Sequence, residues 1–506
     1  MYTVRLKIDT SEYDERFFAK TFYFAWQISL MTVIHAQKAL STMNKMREYR
    51  VARQEYGRRY AGKKLSDLKT EEQKAEYQAL VETMQRYERR FKLTKNDLEK
   101  FAKTARRQYS NYLSSQQGQW LADKVAFGVF KCLTGGGKRL HFKRFDQFDT
   151  IGQKNAANGV KLLSRNRIRF AKQTFRLEVP DTLYMQAVKA KHDKLKTIAL
   201  KRIGFNSGWR YYVILTFDGD PPVLHQKADG QNVTGIDLGM STVAAESDNF
   251  IYLENLAPDA LAYEKKIRHL QNLVDHKIRM ANPDNYDSLG RVRKGRHHWK
   301  ISKAVIRLRR YIRVLYRKES AYIRCSHGRQ INQLLEKSSA VVLEPMQFKR
   351  LQKKSKKTER QEKLAAVKKK DGSTIQVRKY KRKKRFGHSI KNRSPGLFQS
   401  ELERKAKLVG IPFKMINTVK YKASQLHHDT GEYIKPGLQE RYKVISGYTV
   451  QRDLYSAFLI RHSDDSVCQP DLEACNHDFQ HFAEMQDALL SEMRANRVSN
   501  IPCWGF

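Results

Sequence analysis

Apolar and polar positions alternate over residues 2–8, as in a half-buried strand. From about Asp14 to Val125 the period changes. Phe18, Phe22, Ala25, Ile28 and Met31 recur at helical spacing, charged stretches follow at Tyr77–Leu93 and Lys95–Leu113, and Gly and Pro are almost absent. This predicts three to five helices. At Thr134-Gly-Gly-Gly-Lys the pattern breaks. Short strands are expected at Arg139–Phe145, Gly159–Leu163, Ile168–Phe170 and Phe175–Leu177. Thr197–Arg202 and Trp209–Phe217 face each other across Gly204-Phe-Asn-Ser-Gly208, a hairpin signal. A small β-barrel over 126–222 is expected, joined by the strand of residues 1–13, with the helical stretch 14–125 as an insertion.

Past a Gly/Pro/Asp linker, Val233-Thr-Gly-Ile-Asp-Leu-Gly239, Thr242–Glu246 and Asn249–Leu253 read as three short strands with tight turns. Residues 258–337 are helical and basic. Ser339-Ala-Val-Val-Leu-Glu344 is a buried-type strand ending in an acid. Residues 349–393 are dense in Lys and Arg with few apolar anchors, which reads as a solvated loop able to order on RNA. A helix at Phe398–Leu408, a strand at Phe413–Val419, a polar hairpin over 421–447 and a last helix within Val450–Arg461 complete the pattern. Residues 464–506 read as a C-terminal tail.

Composition narrows the class. A chain of 506 residues holds two to four domains, and 40% hydrophobic residues supply real cores. Lys and Arg number 98 against 52 acids, a net charge of +46 spread along the chain. Such an excess repels itself unless a polyanion neutralises it, so nucleic acid is the expected partner. No apolar run of about 18 residues suggests a membrane span. The start lacks a signal-peptide stretch, and the five cysteines form no disulfide framework, which fits a reducing cytoplasm.

Three carboxylates carry the candidate chemistry. Asp237 lies between apolar residues, and a buried, unpaired carboxylate needs a metal or a cation. Taken alone it is equally a strand-end acid capping a turn. Glu344 ends another apolar strand, which Pro345 stops. Asp453 sits in the first turn of a helix whose face includes Leu454, Ala457 and Phe458, where a dipole-stabilised acid is common. Together they are more specific. Hairpin-linked strands with an Asp, a later strand with a Glu and a late helix with an Asp follow the RNase H-like order. Such a trio can hold two Mg²⁺ ions about 3.5–4 Å apart for phosphodiester hydrolysis. No His/Cys cluster of comparable order competes.

On these residues the sequence resembles the RuvC-containing nucleases of the transposon-encoded TnpB and compact type V CRISPR effector group. Gly235-Ile-Asp-Leu-Gly, Val341-Val-Leu-Glu and Gln451-Arg-Asp-Leu-Tyr-Ser-Ala resemble its three motifs, with Tyr455 and Ser456 where an Asn is common. The resemblance is strong over 233–461 and loose over 1–222. It implies an α+β multidomain protein in which a helical recognition lobe (14–125) is inserted in a wedge β-barrel. An RNase H-like α/β nuclease domain follows over 223–420 and 450–463, with a nucleic-acid-binding hairpin at 421–449. It implies a guide RNA, a double-stranded target with its displaced strand, a short duplex motif beside the target, and a prokaryotic cytoplasm; monomer and homodimer both stay open. Gly137-Lys-Arg-Leu-His-Phe-Lys-Arg144 resembles the strand that handles guide RNA. The family often carries two Cys-x-x-Cys pairs after Ser424-Gln425, but no Cys lies between 326 and 467, so no zinc is expected. His427 and His428 are then surface or nucleic-acid-facing residues. Leu426, Tyr433, Leu438, Tyr442 and Val444 are expected to order the hairpin instead. Cys468, Cys475 and His477 have a weak metal spacing.

Candidate nucleic-acid contacts are Gln108, Tyr109, Asn111 and Tyr112 in the helical lobe, whose amides and hydroxyls can meet base edges. Lys138, Arg139, Lys143 and Arg144, and Lys381, Arg382, Arg385, Lys391 and Arg393, supply phosphate-binding charge. Two other readings share the scaffold: an RNA-guided DNA-binding repressor without cleavage, disfavoured because all three acids are present, and an RNA-independent DDE-type transposase or resolvase.

Overall fold

The computed structural model describes residues 1–60, 62–134, 137, 139–224, 232–351, 360–368, 373–380, 387–437 and 440–496. The chain divides into two compact units, 1–224 and 225–506.

In the first unit, strand β1 (Tyr2–Ile8) is followed by helices α1 (Glu12–Met43), α2 (Arg47–Arg59), α3 (Glu71–Arg90), α4 (Lys95–Arg106) and α5 (Ser115–Leu133). Then come β2 (Thr150–Gly152), β3 (Lys161–Ser164), β4 (Arg167–Phe170), β5 (Gln173–Glu178), α6 (Leu183–Lys191), β6 (Leu195–Phe205) and β7 (Gly208–Phe217). The strands form one sheet in the order β2-β6-β7-β1-β5-β4-β3. β1 lies at its centre, antiparallel to both neighbours, so the five helices enter as an insertion after the first strand. The side chain of Gln153 links the two edges. Its amide donates to Val160 O (2.9 Å) and its carbonyl accepts from Val160 N (2.8 Å), doing the work of a missing ladder rung.

Ser11 and Asp14 form a capping box that starts α1. The helix is long and apolar enough to cross a membrane by composition. Its apolar face is spent on the sheet, however: Phe18 and Phe22 are fully buried, with Phe18 against Phe175 and Tyr211 at 4.9 Å between ring centroids.

The strand expected at Arg139–Phe145 is absent; the segment is irregular and ends in a 3₁₀ turn, Phe145–Gln147. Side chains have taken its carbonyls. Leu140 O accepts from Gln37 (2.8 Å), Lys143 O from Trp26 (2.8 Å) and Phe145 O from the buried Arg202, so no ladder can form there.

The second unit runs β8 (Val233–Leu238), β9 (Thr242–Ser247), β10 (Phe250–Asn255), α7 (Ala260–Ala281), α8 (Lys303–Lys337), β11 (Ala340–Leu343) and α9 (Phe348–Leu351). β12 (Arg360–Lys368), β13 (Thr374–Tyr380), α10 (Gly387–Arg393), α11 (Pro395–Val409), β14 (Phe413–Met415) and α12 (Thr418–Tyr421) come next. The last elements are β15 (Tyr442–Ile445), β16 (Tyr448–Gln451), α13 (Arg452–Arg461) and α14 (Leu472–Ala495). Five strands make a mixed sheet, β10-β9-β8-β11-β14. β9 is antiparallel to both neighbours, whereas β8, β11 and β14 run parallel. Ile236, Leu238, Val341 and Leu343 face one core with α8 and α11; Ala244, Leu253 and Val342 face another with α13 and α14.

Four expectations change here. Residues 464–506 are not simply a tail: α14 buries Cys475, Phe479 and Phe482 in the core under α13. The helical run 258–337 is interrupted between α7 and α8, where Asn282 bonds Lys300 N and O across the gap (2.6 and 3.0 Å) and Pro283 follows. The described parts of 349–393 hold an antiparallel ribbon, β12–β13, rather than a featureless loop. The strand after Phe413 ends at Met415, because Asn417 caps α12.

Candidate active site

The ladder between β8 and β11 brings two of the acids together. Val342 pairs with Gly235 and Leu343 with Ile236, in parallel register. Glu344 N then donates to Ile236 O at 3.1 Å, so the next rung sets Glu344 beside Asp237. Neighbours in a parallel ladder stand about 4.8 Å apart with side chains on the same face. Pro345 has no N–H and ends the ladder at that point.

The third acid arrives on α13, seated on a glycine. A Cβ at Gly235 would stand 2.1 Å from Ala457 O and 2.4 Å from Arg461 N. Only glycine lets the helix backbone rest on the strand there. Strand side chains alternate, so Asp237 shares the face of Gly235, about 6.6 Å further along. One helical turn before Ala457, about 6 Å back, stands Asp453. The two advances match when helix and strand run in opposite senses, which brings Asp453 towards Asp237.

Electrostatics agrees. Burial pushes the Asp237 carboxyl well above the usual carboxylate range; Glu344 and then Asp453 push it further, and Arg452 opposes them. Glu344 is raised by burial. All three keep part of their surface open to solvent, Asp453 at 16% of its side chain, so the cluster lies in a cleft rather than a core. Arg452 reaches Asp453 Oδ1 through Nε and Nη2 (3.3 Å each) and Glu440 O through Nη1 (3.1 Å). Its single charge leaves three gathered carboxylates undercompensated.

These donors suit hard divalent cations, being oxygens without His or Cys. Among the described residues no three acids, histidines or cysteines already converge on one point as a metal cage.

Tyr455 and Ser456 do not stand in for the Asn of the resembling motif. Tyr455 is buried, and its hydroxyl meets His428 N (3.0 Å) and Nδ1 (2.8 Å). His428 is therefore no surface residue: it is 2% exposed, and burial brings its pKa down to about 4. His427 is half-buried. Leu426 and Tyr442 pack as expected, but Tyr433 and Val444 are exposed, and Leu438 lies outside the described residues. Strand β15 faces the other way from its apolar pattern. Lys443 points inward, its Nζ bonded to Ser424 O at 2.8 Å, and Val444 faces solvent.

The nucleic-acid candidates scatter. Gln108 and Asn111 are exposed, as are Arg139, Lys143, Arg144 and Lys391. Tyr109 and Tyr112 are half-buried. Tyr109 stacks on Phe24 at 4.4 Å and donates to Gln27 (3.0 Å), and Tyr112 stacks on Phe17 at 5.4 Å. Arg393 is half-buried. Lys138, Lys381, Arg382 and Arg385 lie outside the described residues. Sequence reading gave no role to Arg452, although its place beside the acid of the third motif is a signal, nor to Gly235 as a helix seat.

Fold and site thus define a mixed α/β protein with three carboxylates gathered on one sheet face beneath a helix N-terminus. No family model matches the sequence, and no curated protein is detectably similar. Among solved structures the chain is similar to a Cas12f1–sgRNA–target DNA complex, at 12% identity and a TM-score of 0.44, over 91% of this chain and 98% of that one. It is also similar to a CRISPR-Cas12f ternary complex, at 11% identity and a TM-score of 0.26, over 91% and 99%. These neighbours fall in the compact type V group that the sequence resembles. At such identities and TM-scores neither likeness assigns a role to any residue here.

Proposed function

We propose that this chain is an RNA-guided DNA endonuclease that recognises a short duplex motif beside its target and hydrolyses phosphodiester bonds at Asp237, Glu344 and Asp453. The reading is supported by the ladder register that sets Glu344 beside Asp237 and by the close approach of Ala457 and Arg461 to Gly235, which seats the helix that carries Asp453 on the same strand. The β10-β9-β8-β11-β14 sheet supports reading the second unit as an RNase H-like (RuvC) domain. The helices inserted after β1 support reading the first as a wedge with a recognition lobe.

Two Mg²⁺ ions bound there would supply the charge that makes water nucleophilic near neutral pH and stabilises the departing 3′ oxygen. Asp237, Glu344 and Asp453 would hold them. Arg452 positions Asp453 through its paired hydrogen bonds. The +46 net charge holds guide and target by their backbones.

The test begins with protein purified from its host and the sequencing of RNA that travels with it. Asp237→Asn, Glu344→Gln and Asp453→Asn are each expected to lower Mg²⁺-dependent cleavage about a thousandfold or more while target binding persists. EDTA is expected to mimic them. Near-normal cleavage by any of the three would overturn the site, and the absence of a bound RNA would overturn the guide.

A further inference from the structure

The first unit holds a cavity of about 460 Å³ between α1, α5 and the irregular segment before β2. Its base is apolar: Val33, Leu121, Val125, Leu140 and Phe148 are buried there. Two glycines shape it. A Cβ at Gly128 would stand 2.5 Å from Leu140 Cδ1, and one at Gly152 would stand 2.4 Å from the Trp120 ring. Leu140 can therefore seat against α5, and the half-buried indole lies flat over Gly152 as one wall.

The mouth has the opposite character. Lys124, Lys131, Arg139 and Lys143 are exposed around it, and among the described residues none has a carboxylate within ion-pair distance. Lys124 Nζ rests 4.9 Å from the centroid of Trp120, and Lys131 Nζ 4.5 Å from that of Phe127. Aromatic faces hold the ammonium groups at the rim before any anion arrives. The one acid in the lining, Asp149, is already engaged by Lys201 Nζ (3.0 Å) and Thr150 Oγ1 (3.0 Å).

We infer that this cavity receives one unstacked base of a single nucleic-acid strand, which takes the place of the Lys124 ammonium on the face of Trp120 turned away from Gly152, with the flanking phosphates on the displaced Lys124 and on Lys131, Arg139 and Lys143. A flat apolar body with an anionic edge matches an apolar cleft with an aromatic wall and a cationic mouth. A lipid tail would leave the indole face without purpose, and an acidic peptide would leave the apolar base unfilled. The inference rests on the nucleic-acid part of the proposed function and is independent of cleavage.

The test uses the full-length protein and three octamers: oligouridylate, the same chain of ribose phosphates without bases, and oligodeoxyuridylate. The wild type is expected to bind oligouridylate about tenfold or more tighter than the abasic chain, as base–aromatic stacking does. Trp120→Ala is expected to erase that difference while abasic binding stays, which also shows that the variant is folded. Lys124→Gln with Lys131→Gln is expected to weaken every octamer and to flatten the log–log salt dependence by about 1.4, at about 0.7 for each single-strand phosphate contact. Equal wild-type binding of the base-bearing and abasic chains overturns the pocket alone. So does a difference that survives Trp120→Ala. No binding of any octamer at low salt overturns the nucleic-acid reading with it. The tighter of the ribose and deoxyribose chains identifies the strand.

Discussion

Gly235→Ala puts the geometry of the site at risk without touching a carboxylate. The new methyl would meet Ala457 O at 2.1 Å and Arg461 Cα at 2.9 Å, both backbone atoms that no rotamer change can move. Relief of the first contact needs about 1 Å of separation between β8 and α13. Overpacking of that size costs about 1–3 kcal/mol, a few degrees in Tm for a unit of this length. The larger effect falls on Asp453, which rides on the displaced helix. Misplacement of a catalytic group by about 1 Å costs about a hundredfold in rate. Single-turnover cleavage in Mg²⁺ measures it, alongside Mn²⁺ titration calorimetry, which reads the metal site directly. Gly410→Ala is the control. That glycine ends α11 on the other face of the sheet at φ +80°, with open space where a Cβ would go. Alanine there costs about 1 kcal/mol through backbone strain alone and is expected to leave cleavage and metal affinity unchanged. A folded Gly235→Ala protein with normal cleavage would refute the seating of α13 as the device that positions Asp453. Equal losses in both variants would reduce the effect to stability.

Stability is expected to fall as pH drops from 6.5 towards 4. His428 and His327 are buried with folded pKa values near 4, so the unfolded chain takes up protons that the folded one refuses; each contributes up to about 3 kcal/mol of this loss. Thermal melts across that range should show a shallower slope for His428→Gln, and an unchanged slope would remove this histidine from the account. Phe482→Ala, deleting a ring stacked on Phe458 at 4.7 Å, is expected to cost about 3–5 kcal/mol, and a denaturation midpoint within error of wild type would show that α14 does not share the core. Protein purified without chelator or His-tag is expected to carry no stoichiometric zinc by elemental analysis; zinc lost on replacing His427 and His428 would revive a metal-held hairpin over 421–447.

Asp237 and Glu344 were legible because the first interrupts an apolar run and the second ends one, where an acid has no packing reason to be; Asp453 opens a helix, where an acid is common, and draws attention only beside the other two. Strand identities in the second unit were legible for the same reason: runs such as Val341-Val-Leu can be buried only on two faces. What sequence hid was the competition for backbone groups by distant side chains. Nothing local says that Gln37, Trp26 and Arg202 will take the carbonyls of Leu140, Lys143 and Phe145 and dissolve a strand with sound alternation. Nor does the pattern Tyr442-Lys-Val-Ile announce that the lysine goes inward, since its burial depends on Ser424 O being free to accept. An aromatic with a hydroxyl serves a core and an interface equally well, so sequence could not announce that Tyr109 and Tyr112 stack on Phe24 and Phe17.

Two periods meet at the site. Gly235 and Asp237 are two apart, the repeat of a strand face, and Asp453 and Ala457 are four apart, close to the repeat of a helix face. A strand advances about 6.6 Å over its pair and a helix about 6 Å over its own. When the glycine removes the Cβ and the Ala457 carbonyl comes down on the strand, the near-equality of the two advances sets the second members of the pairs face to face. Gly-x-Asp on the strand and Asp-x-x-x-Ala on the helix therefore form one geometric device written in two distant places. The small residue of each pair sets how closely the elements approach. The acid of each pair uses that approach, and Glu344 joins them through a ladder rung that needs no side chain at all.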